Sequence, residues 1–455
     1  MTGAVAHAPG ADKAGNGFKG WWMVFVLFGC HVFGMLDRLI LTLLVDPIKA
    51  DLHLNDFQMG IIMGPAFAVF FALFAFPLGW ASDRYPRRWV IYFCVTTWAF
   101  ATMASGLARS FATLFLARCV VGAGEAGLGP AAHSLLHDAF PAKRLTTALA
   151  VYQSAGKIGS AVAFGVGALA ISFAQGLEHV VWPLLGELRA WQMVLIMIGA
   201  PGMLFALLLL TITEPARDAK ASRAGGSESD RAAGKGAFLS FMRKNTGLVL
   251  LIMVGFSAMS VAGFSLTIWI PTYIQRHFGV GPSVYGPLLA ATNIVAAFSL
   301  IANGYFVDYL AGRGIKNIHL RFYRWLIAIM IPISFFMFNI NSVEIFCILF
   351  TIVQFSTVPF MMYVSAIMSK IAPSAAKARL LALYVIAFNI IGHGLGPTTV
   401  GALNDYAFGN EMMIGTSILI VVIAAMFVAI TCISFVMPRV HMAIERAQAE
   451  PVAQH

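Results

Sequence analysis

The sequence predicts an all-α membrane protein with twelve transmembrane helices, forming two pseudo-symmetric bundles of six. The prediction comes from the composition, the spacing of long apolar runs, and a loop pattern that occurs twice. Of the 455 residues, 59% are hydrophobic and 11% are charged, and the mean hydropathy is +0.81. Soluble domains carry about 25% charged residues, so a water-soluble protein is not expected.

Apolar runs of ~20 residues mark the spans, and one long polar segment separates six of them from the other six. The segment 214–245 predicts a cytoplasmic linker between a first bundle at 21–213 and a second at 246–437. The tails 1–20 and 438–455 are predicted to be cytoplasmic, and the first does not resemble a signal peptide. The predicted helices cover roughly 21–45, 58–80, 89–107, 112–138, 146–173, 191–213, 246–276, 284–307, 322–341, 343–369, 379–403 and 412–437.

The basic residues fall mainly in alternate loops. Of the 30 Lys and Arg residues, only Lys49, Arg109, Arg189 and Arg276 lie in loops on the other side. The positive-inside rule therefore predicts that both termini are cytoplasmic. The expected location of the protein is the cell membrane, which in a Gram-negative cell is the inner membrane. The net charge of +10 then reflects topology, and no nucleic-acid partner is expected. The five cysteines lie in apolar runs without a CxxC pair, so no disulfide, metal or cofactor is predicted.

A loop pattern recurs at corresponding places in the two halves. Gly79-Trp-Ala-Ser-Asp83-Arg84-Tyr-Pro-Arg87-Arg88 follows the second helix, and Gly304 to Arg313, with Asp308 between them, follows the eighth. We expect Gly79 to allow close helix approach, Asp83 to lie at a helix N-terminus, and the arginines to pair at the cytoplasmic helix ends. The predicted gating residues are Gly79, Asp83, Arg84, Arg87, Arg88, Asp308 and Arg313. The alternative is that the loop only sets topology.

Five ionisable residues other than His, Cys and Tyr lie inside spans, all in the first half: Asp37, Arg38, Arg118, Glu125 and Lys157. Such residues usually face a bundle interior or a water-filled path. A buried carboxylate takes up a proton unless a cation is near. Asp37 and Glu125 are therefore predicted proton carriers, with Arg38 and Arg118 as partners. Lys157 is expected to pair with Glu125 or to meet an anionic substrate. The alternative is a set of purely structural ion pairs.

The loop G-x-x-x-D-R-x-x-R-R resembles the signature loop of the major facilitator superfamily. The resemblance implies two bundles around a central cavity that opens alternately to each side, with the first and fourth helices lining it. A pairing of Arg118 with Asp37 across these helices is then expected. It also implies a transporter rather than an enzyme, and no Walker loop, HExxH or GxSxG is present. The expected partners are protons, the bilayer and a small amphipathic or anionic substrate, and a monomer is expected.

Met35-Leu36-Asp37-Arg38, with Arg118 and Gly122-Ala-Gly-Glu125-Ala126, is similar to the Spinster lipid transporters. That similarity implies a sphingolipid or lysophospholipid cargo. Met35 and Gly127 depart from the Spinster pattern, and Gly127 is closer to the organic anion symporters of sugar acids, which stay the alternative. Apolar side chains on helices seven and ten favour the lipid: Phe256, Phe264, Trp269, Phe355, Phe360, Met361, Met362 and Tyr363. The predicted substrate-binding residues are Arg38, Arg118, Glu125, Lys157, Gln354 and Thr357.

Overall fold

The computed structural model describes residues 17–177, 181–182, 186–215, 228–313 and 318–449. Within these ranges the chain is nearly all helical. Eleven helical segments are long and apolar enough to cross a membrane, and α5 (Arg87–Ser105) lies between two of them. These segments confirm the predicted all-α membrane fold.

Among the described residues, nine helices form the first bundle. They are α1 (Phe18–Leu43), α2 (Val45–Leu52), α3 (Asp56–Met63), α4 (Pro65–Arg84), α5 (Arg87–Ser105), α6 (Phe111–Glu125), α7 (Leu128–Ala139), α8 (Ala142–Gln175) and α9 (Ala190–Leu209). Between α8 and α9, strand β1 (Val181–Trp182) pairs antiparallel with β2 (Gly186–Glu187). The sequence analysis did not predict this short ribbon.

In the part of the second bundle that the structure describes, there are eight α-helices. They are α10 (Glu228–Phe278), α11 (Pro282–Gly312), α12 (Ile318–Met337), α13 (Val343–Thr357), α14 (Phe360–Ile371), α15 (Ser374–Phe388), α16 (Gly396–Ala402) and α17 (Ile414–Ala449). The π-helical segment Asn389–Leu395 joins α15 to α16, and a second π-helical segment, Leu403–Phe408, continues α16. A 3₁₀ turn at Glu411–Met413 precedes α17.

The part of the predicted linker from Glu228 onward is helical. It belongs to α10, which kinks at Asn245 (φ −125°, ψ 23°). The seventh span was predicted to begin at 246, directly after this kink. The rest of the linker lies largely outside the described residues.

Several predicted spans are two helices joined at a break. Gly64-Pro65 divides the second span, and Val358-Pro359 divides the tenth. A proline removes a backbone donor and clashes with the preceding turn. The Phe355 carbonyl, which Pro359 cannot bind, accepts a hydrogen bond from Asn303 Nδ2 at 3.4 Å. Both breaks therefore lie where a proline removes a backbone hydrogen bond from the helix.

The fourth predicted span, 112–138, breaks immediately after Glu125. Helix α6 ends at Glu125, and α7 begins at Leu128. Pro130 has no N–H to donate to the Ala126 carbonyl, which removes one hydrogen bond from the continuous ladder. Side-chain capping defines the other end of α6, where Ser110 and Thr113 form a capping box. The break puts the Glu125 carboxylate at a helix end inside the bundle.

The first and second bundles meet most closely at one end of the molecule. Because α1 starts beside the N-terminal tail, its last residue, Leu43, lies at the opposite end. We call the end containing residues 43–56 the distal end, and the opposite end, where α1 begins and α9 and α17 end, the linker end. Helix α3 packs on α16, and α8 packs on α11, across the two bundles.

Candidate functional site

A cluster of four charged side chains lies between α1 and α6 of the first bundle. Asp37, Arg118 and Glu125 are buried, with 2%, 2% and 5% of their surface exposed. Arg38 Nε donates to Glu125 Oε2 at 2.6 Å, and this salt bridge joins α1 to α6. Gly34, one turn before Arg38, faces the same pair, and a Cβ there would make ordinary contact with Glu125 Oε2 at 3.5 Å.

The pairing differs from the expected contact of Arg118 with the Asp37 carboxylate. Arg118 Nη1 instead donates to the Asp37 backbone carbonyl at 3.3 Å. The salt bridge belongs to Arg38 and Glu125 because the break after α6 leaves Glu125 beside α1. The structure therefore brings the four predicted residues together but pairs them differently.

The cluster has unfilled hydrogen-bonding capacity. Among the described residues, Asp37 Oδ1, Glu125 Oε1 and Arg118 Nε have no hydrogen-bond partner although all three atoms are buried. Buried polar atoms nearly always have partners. Each carboxylate can therefore accept a proton or a donor from a ligand without breaking a contact that this structure contains.

Two phenylalanines cover the arginines. The Arg38 guanidinium lies 4.4 Å from the centroid of the Phe67 ring and 5.2 Å from that of Phe71, and the Arg118 guanidinium lies 5.9 Å from Phe67. Cations over aromatic faces within about 6 Å are stabilised by the ring quadrupole. These contacts hold the guanidinium planes beside α4, and the sequence analysis did not single out Phe67.

His393 of the second bundle extends this stack. Its ring lies 5.2 Å from Phe67 and stacks on Phe264 at 4.4 Å. His393 Nε2 lies 3.1 Å from the Met63 carbonyl of the first bundle. No role for this histidine was predicted from the sequence. Its position in Gly392-His-Gly394-Leu-Gly396, where the glycines allow close helix approach, was the signal that could have identified it.

Lys157 does not form the ion pair that was expected. It is half-buried on α8, and no carboxylate of the described residues lies within salt-bridge distance of it. The Glu125 carboxylate is occupied by Arg38 instead. Gln354 and Thr357 are buried near the end of α13, and Gln354 Nε2 has no partner among the described residues.

The apolar side chains of the second bundle are mainly packing residues. Phe256 stacks on Tyr323, Trp269 donates to the Pro397 carbonyl at 3.0 Å, and Tyr363 donates to Asn303 at 3.0 Å. These three aromatic residues are at most 1% exposed. They therefore do not line an open wall for a lipid tail, contrary to what the composition favoured.

Arg87 makes more polar contacts than the other arginines of the signature loop. Arg87 is buried and binds Asp138, Ser134 and Glu214, all in or beside the first bundle. Arg88 donates to the Ile212 carbonyl at 3.1 Å. Asp83 and Arg84 are exposed.

The other predicted gating residues make fewer contacts. Gly79 has no atom within 4 Å of a Cβ built on it, so the close helix approach predicted there is absent in this conformation. Asp308 and Arg313 are exposed, and Arg313 lies over Tyr309 of its own helix.

The distal end contains a second charged cluster, which the sequence analysis did not predict. Its centre is Asp56, which is fully buried. Asp56 accepts from Lys49 at 2.6 Å, from Arg276 at 2.8 and 2.9 Å, and from Asn404 at 2.7 Å. Lys49 belongs to the first bundle, and Arg276 and Asn404 belong to the second. We call this cluster and its neighbours Asp46, Asp405 and Glu411 the distal network.

Further contacts of the distal network also cross between the bundles. Arg276 Nη2 lies 2.6 Å from Asp46, Lys49 lies 2.7 Å from Glu411, and the Phe57 N–H donates to Asp405 at 2.6 Å. In the sequence, Lys49 and Arg276 stand out only as two of the few basic residues in the loops opposite the cytoplasmic side. Positive residues on the unfavoured side, close to a run of acidic residues, were the available signal.

Glycines bring the backbones together beneath the distal network. A Cβ on Gly60 would lie 2.7 Å from the Pro397 carbonyl, and one on Gly64 would lie 2.7 Å from the His393 carbonyl. A Cβ on Gly401 would overlap the Asp56 carbonyl. The distal half of the interface is therefore closed at backbone contact distance.

A two-bundle membrane fold with a buried charge cluster beside the interface of the bundles defines a membrane transporter. The chain belongs to the Major Facilitator Superfamily, whose family model matches residues 26–397. It is 27% identical to an MFS-type efflux pump of Mycolicibacterium smegmatis over 93% of each chain. It is 24% identical to the hexuronate transporter of Bacillus subtilis, covering 63% of this chain and 64% of that one.

A solved structure of a bacterial homolog of the human lysosomal transporter Spinster, in an inward-facing conformation, has the same fold. Its TM-score is 0.74 at 23% identity, with 93% of this chain and 97% of that chain covered. The predicted membership of the superfamily and the likeness to Spinster proteins are confirmed.

Proposed function

We propose that this transporter couples proton movement to the transport of an amphipathic, lipid-like substrate by alternating access. Asp37 and Glu125 carry the protons, and Arg38 and Arg118 set the affinity of these carboxylates. The observation that carries the proposal is the Arg38–Glu125 salt bridge, next to carboxylate oxygens without partners. A buried ion pair with spare acceptors can exchange its partner for a proton or a ligand.

Alternating access follows from the position of this pair beside the bundle interface. Arg38 is stacked on Phe67, and Phe67 contacts His393 of the second bundle. When Glu125 is protonated, Arg38 loses its partner and is free to bind an anionic group of the substrate. The stack through Phe67 and His393 then transmits that change to the closed distal end, which we assign to the external side.

The support for the lipid-like substrate is the likeness to Spinster proteins. A sugar acid is the second candidate, because one relative is a hexuronate transporter and the two arginines suit a carboxylate. The two candidates differ in chemistry: a sugar acid needs partners for each buried hydroxyl, whereas an acyl chain needs an apolar surface.

Proteoliposome transport tests both parts of the proposal. The purified protein is reconstituted with an inward proton gradient, and a fluorescent lysophospholipid and radiolabelled glucuronate are compared as substrates. We expect gradient-driven lysophospholipid movement that Asp37→Asn and Glu125→Gln abolish. Glu344→Gln, a change at an exposed glutamate on α13, is the matched control. Gradient-driven movement that both charge variants retain would exclude the carrier role, and movement of glucuronate alone would exclude the lipid.

A further inference from the structure

A groove opens on the outer surface of the first bundle, between α4 and α5. It has a volume of about 600 Å³, within the usual range for ligand sites. Phe74 and Leu78 of α4 form one wall, Trp89 and Phe93 of α5 form the other, and the lining is almost entirely apolar. Helices α4 and α5 each pack on α6 but make few contacts with each other, which leaves the space between them open.

Small residues of α6 form the floor of this groove. Ala123 and Gly124 line it, directly before Glu125 in the chain. A Cβ on Gly124 would lie 3.0 Å from Trp98, so α5 packs against the bare backbone there. The groove therefore reaches inward to the helix that carries the charge cluster, while the exposed Phe93 ring marks its opening toward the surroundings of the bundle.

The linker end of the groove has the chemistry of a membrane interface. Tyr85 and Pro86 close it there, and Trp89 stands at its edge. Arg84 lies 5.5 Å from the Trp80 ring and Arg88 lies 5.6 Å from the Trp89 ring. Tryptophan, tyrosine and arginine concentrate at the level of lipid headgroups.

The charges at this end favour a phosphate group. Arg87 is engaged by Asp138 and Glu214 inside the bundle, so it is not available to a ligand. Arg84 is exposed, with exposed Asp83 as its acidic neighbour. The Arg88 guanidinium lies beside Trp89 of the groove wall and donates to the Ile212 carbonyl through Nη1. An exposed guanidinium at Arg84 and a partly engaged one at Arg88, beside the linker end of an apolar groove, match a phosphate attached to an acyl chain.

We propose that this groove is a binding site for a bilayer phospholipid, with one acyl chain between α4 and α5 and the phosphate against Arg84 and Arg88. The site is separate from the transport cavity and does not depend on the substrate. Because residues of the signature loop form its wall, a bound lipid would have to move whenever that loop moves.

Native mass spectrometry of the full-length protein in detergent tests the site, with dioleoylphosphatidylglycerol as the probe. Thr97 is exposed in the groove, so Thr97→Trp fills it from the surface. Leu169→Trp, at an exposed position on α8, is the matched control. Loss of two buried methylene contacts already weakens binding about tenfold, so we expect at least that fall for Thr97→Trp and none for Leu169→Trp.

The headgroup is tested with the same method. We expect Arg84→Gln/Arg88→Gln to reduce phosphatidylglycerol binding, while Arg321→Gln at an exposed site on α12 leaves it unchanged. Dioleoylglycerol, which has no phosphate, should bind more weakly than phosphatidylglycerol and should not distinguish the arginine variants. Equal lipid retention by Thr97→Trp and Leu169→Trp would overturn the site, and equal binding of the two lipids would overturn the phosphate contact. Size-exclusion profiles establish that each variant is folded.

Discussion

Arg276 of the second bundle binds Asp56 of the first through both of its terminal nitrogens, at 2.8 and 2.9 Å. Such a two-pronged contact fixes direction as well as distance. Because Asp56 is fully buried, separating the two residues leaves a charge that must find water or another partner. The distal end can therefore open only if this contact is replaced.

Replacing Asp56 with asparagine should shift the molecule toward a state with an open distal end. Breaking a buried ion pair costs about 3–5 kcal/mol, enough to reverse a conformational preference. Spin labels at His53→Cys and Met412→Cys, which stand on opposite bundles, would report a longer distance by electron paramagnetic resonance. Arg189→Gln is the control, because Arg189 pairs with Asp51 within the first bundle. An unchanged distance in Asp56→Asn would show that the pair does not hold the end closed.

Adding a side chain at Gly60 should prevent the same closure by a steric route. In Gly60→Val the Cβ would meet the Pro397 carbonyl at 2.7 Å and Thr398 Cα at 3.0 Å, so the bundles must separate. We expect faster labelling of a cysteine placed at Thr398 and loss of transport. Gly129→Val is the comparison, since a Cβ there meets nothing within 4 Å. Slow labelling in both variants would contradict the prediction.

The Arg38–Glu125 pair should show strong coupling in a double-mutant cycle. Arg38→Gln removes the salt-bridge partner of buried Glu125 and should lower stability by about 3–5 kcal/mol. The double variant Arg38→Gln/Glu125→Gln should recover about 1–3 kcal/mol of that loss. Thermal unfolding in detergent measures the cycle, and Arg38→Lys, which keeps the charge but not the planar group over Phe67, should fall between. Additive effects would mean that the two residues act independently.

Within the signature loop, substitutions of Arg87 and Arg84 should differ sharply in their effect on stability. Arg87→Gln removes a buried cation and with it the partner of half-buried Asp138 and of Glu214, so we expect a loss of about 3 kcal/mol or more in stability. Arg84→Gln should change stability by less than about 0.5 kcal/mol, because Arg84 is exposed. Thermal unfolding of the two variants side by side tests this, and equal losses would show that burial does not separate their roles.

The helical architecture and the members of the charge cluster were predictable from the sequence. Long apolar runs determine the spans, and buried charges are so costly that their mere presence at Asp37, Arg38, Arg118 and Glu125 marks a site. The pairing within the cluster was not predictable, because it depends on the break after Glu125. Pro130 signals a break, but only the packed structure shows which side chain then faces α1.

The distal network escaped prediction for a different reason. Its members come from five separate helical segments, and Asp56 and Arg276 are 220 residues apart in sequence. Charged residues at helix ends are common, and nothing local to either residue shows that it will be buried. The contribution of His393 was hidden in the same way, since its partners Met63 and Phe67 belong to the other bundle.

The bond between Arg87 and Glu214 also sets a limit on how far the molecule can open. It anchors the chain to the first bundle at the point where the last helix of that bundle has ended. From Pro215 the chain reaches α10 at Glu228 through a dozen residues, which can extend over roughly 40 Å at most. While the Arg87–Glu214 salt bridge is intact, the distance by which the two bundles can separate at the linker end is limited by the length of this covalent connection.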